Sequence, residues 1–123
     1  MTALLICLLG GLGAMARFAV DGAVRQRWPT SFPAGTVVVN VSGSFLAGAL
    51  SGAALTGALG GGAAAASVVG FCGGYTTFST AMTDTVRLAR DGRVLRAALN
   101  AVGTGALTVL AVLAGLAAAA LLT

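Results

Sequence analysis

The sequence predicts an all-α integral membrane protein, one domain over residues 1–123 with four transmembrane helices. Three observations carry that prediction. Hydrophobic residues make up 58% of the chain, only 8% is charged, and mean hydropathy is +0.99, whereas a soluble domain carries roughly 25% charged residues. Too few polar side chains remain to coat a surface facing water. Four stretches, about 3–24, 35–55, 63–86 and 97–122, are apolar over the roughly 20 residues a helix needs to cross a bilayer. Finally, 19 glycines, abundant alanine and only 6% aromatics suit close helix approach in lipid, where small residues drive packing.

The first stretch opens MTALLICLLGGLGAMARF, with no basic residue ahead of the apolar run and Arg17 behind it. It therefore reads as a span and not as a cleaved signal. The connector that follows, RQRWPTSFPA, holds Pro29 and Pro33, which break helix, and Trp28, which suits the membrane interface. The second span carries Asn40 at its middle, and an uncharged glycine turn, TGALGGG, separates it from the third. The third connector, RLARDGR, contains the turn pair Asp91-Gly92. Cys7 and Cys72 lie inside apolar runs and read as small packing residues, not as a disulfide framework.

The third span is written unlike the others. GFCGGYTTFST packs Gly70, Gly73 and Gly74 beside Thr76, Thr77, Ser79 and Thr80 at membrane depth. Irregular backbone there is tolerated only where protein or a water-filled cavity covers it, and its freed carbonyls can coordinate a cation. A break in this helix is expected.

A net charge of +4 would by itself suit nucleic acid or an acidic membrane surface. Placement gives it a different meaning, and no nucleic-acid partner is expected. Arg25, Arg27, Arg87, Arg90, Arg93 and Arg96 all flank the first and third connectors, while the opposite face carries no Lys or Arg. The positive-inside rule puts those connectors in the cytoplasm and both termini outside the plasma membrane.

Taken together, GGLGAMARF, PAGTVVVNVSGSFLAG, GFCGGYTTFST and the DGR before the fourth span resemble, in order and over nearly the whole chain, the Fluc or CrcB family of fluoride channels. The resemblance implies an antiparallel dimer that exports fluoride passively along its subunit interface, around a structural sodium ion at the dimer centre. It puts the sodium ligands on the backbone carbonyls of Gly73 and Thr76, Asn40 and Phe78 on the fluoride path, and Arg17 near a vestibule. Chemistry agrees in kind: a hard cation wants oxygen ligands, an amide NH₂ can replace water around a small anion, and the positive edge of an aromatic ring favours an anion without trapping it. The hydroxyls of Thr77, Ser79 and Thr80 would extend that polar track.

Each assignment has a plainer reading. Gly73 and Gly74 would also serve a tight helix crossing. Asn40 would also serve as an interhelical hydrogen bond, and Arg17 could pair with Asp21 one turn on. GGLGAMA is also a loose dinucleotide fingerprint, but no strand precedes it. Nothing points to an enzyme: there is no His, no carboxylate pair and no nucleotide loop.

Departures from the family pattern matter. Ala81 stands where a second phenylalanine is usual, Met82 where Ser is common and Asp84 where Glu is usual, while the fourth span keeps only Asn100, Thr104 and Thr108 as a polar track. Family homodimers insert in both orientations and need little arginine bias. This chain's bias is strong, so the expected partner is a paralogous subunit of opposite bias, with a homodimer as the alternative. Two rival readings stand beside the channel: a small drug/proton antiporter, which needs a mid-membrane carboxylate in the first span, and a non-conducting scaffold subunit of a heterodimeric channel.

Overall fold

A computed structural model describes residues 2–122, all helix and connectors, with no strand among the described residues. Helix α1 (Thr2–Arg27) is uncharged through Met15 and ends as Pro29 approaches, because a proline disfavours helical backbone in the residue before it. Helix α2 (Ala34–Leu55) starts directly behind Pro33 and stops before Gly57, which turns the chain at φ +79. The next stretch is composite: α3 (Gly61–Ala65), a π-helical segment (Ala66–Cys72), α4 (Gly73–Tyr75), two extended residues, then α5 (Phe78–Arg90). After a turn at Gly92 (φ +76) come α6 (Val94–Ala98), a second π-helical segment (Leu99–Gly103) and α7 (Thr104–Leu122), which run on as one helix from Val94 to Leu122.

Three of these helices, Thr2–Arg27, Ala34–Leu55 and Val94–Leu122, are long and apolar enough to cross a membrane, and the protein is a multi-pass membrane protein. The expected third span over 63–86 is not one uninterrupted helix. Its glycines and threonines split it into the pieces above, none of which reaches the crossing length alone.

Packing is by close backbone approach. Helix α2 lies against α7, where a methyl group on Gly48 would strike the Val112 carbonyl and one on Gly115 the Phe45 carbonyl. Helix α1 lies against the composite stretch in the same manner, Gly13 facing the Phe71 carbonyl and Gly74 the Gly10 carbonyl. The interior is small and partly polar. Val39 and Ala66 are fully buried beside Thr36, Asn40, Thr77, Asp84, Asn100 and Thr104, whereas Leu8, Phe18, Leu110 and Leu121 face outward. Outward apolar residues around polar interior ones are what a lipid surround selects.

Candidate functional site

The site is built around the interruption between α4 and α5. Gly73 and Gly74 weaken helix locally, and at Thr76 and Thr77 the backbone turns extended, with φ, ψ of −79, 161 and −149, 122. A new helix then starts at Phe78, capped by the Thr77 hydroxyl, which accepts from the Thr80 N–H at 3.3 Å.

What holds the extended pair is Asn40. Its Nδ2 donates to the Thr77 carbonyl at 2.8 Å and its Oδ1 accepts from the Thr77 N–H at 2.7 Å. One side-chain amide thus gives Thr77 both bonds that a neighbouring strand would give. Asn40 is 6% exposed and Thr77 8%, so the bonds stand where unpaired backbone would be costly. An amide NH₂ carries two hydrogens, so one bond to Thr77 leaves the second available.

A second link lies one helical turn away on α2. Thr36 Oγ1 donates to Asp84 Oδ2 at 2.9 Å, so that Thr36 and Asn40 on α2 meet Asp84 and Thr77 on the α5 side. Asn100 secures α5 from its other flank, donating to the Ala81 carbonyl at 3.1 Å and to Thr85 Oγ1 at 2.8 Å. Ser42 and Tyr75 share a hydroxyl hydrogen bond at 3.0 Å just ahead of the break. These contacts were missed at the sequence level, although the four-residue spacing of Thr36 and Asn40 puts two polar groups on one face of an apolar helix.

Two cavities flank the clamp. One, of about 230 Å³, gathers Asn40, Thr77, Phe78, Asn100, Thr104 and Thr108. The other, of about 250 Å³, is lined by Arg17, Asp21, Thr36, Thr77 and Thr80. The structure therefore brings Asn40, Thr76, Thr77 and Phe78 to the first cavity and Arg17, Thr77 and Thr80 to the second. Ser79 is exposed and lines neither, although its hydroxyl lies 3.3 Å from that of Thr77. The Phe78 ring is 78% exposed at the cavity mouth, and Ala81, 4% exposed, leaves the inner wall without a ring.

Arg17 does not pair with Asp21. Asp21 Oδ2 instead meets Arg25 Nε at 2.9 Å, consistent with the preference for the acid to precede the base by one turn. Arg17 Nη1 reaches the Thr76 carbonyl at 3.5 Å.

Gly73 and Gly74 separate into two roles. Gly74 makes the close crossing with α1, but a methyl group on Gly73 would meet nothing nearer than 4.0 Å, and Gly73 is exposed. The donors an unbroken helix would send to the Gly73 and Thr76 carbonyls, the N–H groups of Thr77 and Thr80, go to Asn40 and to the Thr77 hydroxyl instead. Both carbonyls thus lack their ladder donors: that of Gly73 lies on an open face, and that of Thr76 faces Arg17 instead, so only the Gly73 oxygen is open to a cation within this chain.

Comparison with known proteins follows this geometry. A family model described as CrcB-like protein, Camphor Resistance (CrcB), matches residues 4–116. A relative in Natronomonas pharaonis named fluoride-specific ion channel FluC 2 is 48% identical over 122 residues, 99% of this chain and 97% of its own. Another FluC 2, from Cutibacterium acnes, is 43% identical over 118 residues, covering 95% and 96%. Fluoride-specific ion channel FluC 1 of Leifsonia xyli is 44% identical over 100 residues, 81% of this chain and 73% of that protein.

Proposed function

This chain belongs to the CrcB family, and from that premise we propose how it conducts fluoride and with what partner. It is a fluoride channel subunit, not an enzyme. The observation that carries the mechanism is the clamp of Asn40 on Thr77, which sets the polar groups of Asn40, Asn100 and Thr104 into the wall of a largely apolar cavity with Phe78 at its mouth.

In this reading the composite stretch Gly61–Arg90 completes a four-span subunit, and two subunits pair antiparallel. Fluoride sheds water against the second N–H of Asn40 and the edge of the Phe78 ring, beside the Thr77 backbone that Asn40 holds, then leaves the cytoplasm down its gradient. Arg17 draws anions toward the break. The carbonyls of Gly73 and Thr76 would hold a structural sodium ion, whose charge would tie the two subunits together at their breaks. The exposure of Gly73 and Phe78 supports a second subunit on this face.

The arginine asymmetry supports a paralogous partner of opposite bias, with the basic connectors of this chain in the cytoplasm. A scaffold role is the second reading, favoured by one observation: both ends of the Asn40 amide are already engaged within the chain. The antiporter reading loses its carboxylate, since Asp21 is held by Arg25 near the end of α1.

The test is fluoride efflux from liposomes, read with a fluoride electrode, for the chain alone and co-purified with a paralogue of opposite arginine bias. Efflux only from the pair, selective over chloride and lowered at least tenfold by Phe78→Ala (~1.4 kcal/mol on the barrier), is the expected outcome. Robust efflux from the chain alone would overturn the heterodimer, wild-type flux in Phe78→Ala within the pair would establish the scaffold role, and no fluoride flux from any assembly would overturn the channel mechanism.

A further inference from the structure

We propose that the cleft between the first and third connectors binds the phosphate headgroup of an anionic phospholipid. The cleft, of about 410 Å³, lies between the Trp28–Gly35 segment and the end of α5. Arg25 from the end of α1, Arg87 from α5 and Arg93 from the turn before α6 all line it. The three arginines come from separate segments, and Arg96 on α6 ties that helix to the first connector by donating to Ser31 Oγ at 2.6 Å.

The three aspartates of the chain match the three lining arginines in number, so the cleft would bind through guanidinium edges left open, and the excess charge of this face comes from Arg27, Arg90 and Arg96 around it. Asp84, also on the lining, is 8% exposed, with one oxygen accepting from Thr36 and the other 3.9 Å from Arg87 Nη1. Asp21 takes Arg25. Asp91 lines the rim, and among the described residues neither it nor Arg93 belongs to an ion pair. Arg87 is 68% exposed at its side chain, which leaves its guanidinium edge and that of Arg93 available. Guanidinium forks match the paired oxygens of a phosphate, and every basic residue of this chain is Arg.

Apolar surface beside the cleft favours a lipid over a free phosphate. Trp28 on the rim is 58% exposed, and Val86, Val94 and Leu95 on the adjoining helices are 52%, 67% and 74% exposed. A headgroup held by the arginines would run its acyl chains over these residues. Basic pockets between membrane helices at the interface recognise anionic headgroups in this way. The inference is independent of fluoride conduction.

Trp28 is the sole tryptophan, so its fluorescence reports on the cleft. The protein is reconstituted in phosphatidylcholine containing phosphatidylglycerol brominated near the headgroup end of its chains, and compared with equally brominated phosphatidylcholine. Quenching by the anionic lipid should be at least about fivefold stronger, the factor expected for one basic residue at an anionic surface. The pair Arg87→Gln with Arg93→Gln should erase that preference, while Arg27→Gln with Arg90→Gln, the same charge change off the cleft, should keep it. Arg93→Gln alone, in an exposed turn, provides a milder variant if the double one fails to fold, and should weaken the preference. Equal quenching by the two lipids, or equal loss in both double variants, would overturn the site. A Trp28 emission shift with soluble glycerol phosphate in neutral bilayers, without preference for the brominated anionic lipid, would overturn the lipid as its occupant.

Discussion

Helix α2 holds two of its neighbours by opposite means. Along α7 it offers Gly48 and Gly52, and the contact is backbone against backbone with small side chains between. Toward the start of α5 it offers Thr36 and Asn40, and the contact is three hydrogen bonds between 2.7 and 2.9 Å. The first contact gains only by nearness, so any added atom harms it. The second gains by direction, so the identity of each donor matters and volume matters less. A scaffold and a site can therefore share one helix and still be separated by substitution.

The largest effect is expected at Asn40. Asn40→Ala strips both partners from Thr77, and leaving a buried N–H and C=O unpaired costs about 1–3 kcal/mol each. Thermal unfolding in detergent should show that loss, and fluoride efflux should vanish. Asn40→Asp keeps the acceptor and loses the donor, so it should fold better than the alanine variant yet conduct poorly; equal behaviour of the two would mean that the donor does not matter.

Next is Gly48→Leu, which drives a side chain into the Val112 carbonyl. Overpacking of about 1–3 kcal/mol is expected, seen as a lower melting temperature, while flux per folded channel stays near wild type. Specific loss of flux in the surviving folded protein would erase the distinction between the two contacts. Smallest is Thr36→Val, which removes one hydroxyl bond to Asp84 at almost constant volume. Interhelical bonds of this kind in membranes contribute about 0.6–2 kcal/mol, and the same unfolding assay should register it. No change at all would show that Asp84 finds another donor.

How much of this was legible beforehand follows the same division. Helices α1 and α2 and the one ending at Leu122 were readable because length and apolarity alone define a helix in lipid. The break was readable as a region, since glycines beside threonines weaken helix, and it falls at Thr76 and Thr77 within the expected stretch. Its fastening was not, because Asn40 and Thr77 lie 37 residues apart and no local pattern pairs them. Of the two arginines one turn from Asp21, the possible pairing with Arg17 gives way to Arg25, because the direction of the pair decides. Ser79 was grouped with Thr77 and Thr80 by adjacency, and the turn of α5 carries it outward.

The amide of Asn40 also changes what kind of interruption this is. Two extended residues between helices would ordinarily be a pivot, free to swing and slow to settle. Here the pivot is pinned at both its N–H and its C=O, so the dipoles around the break are oriented when the chain folds and need no rearrangement when an ion arrives. On the proposed path a small, strongly hydrated anion would exchange its water for partners already in position, and passage would require no moving part in this segment.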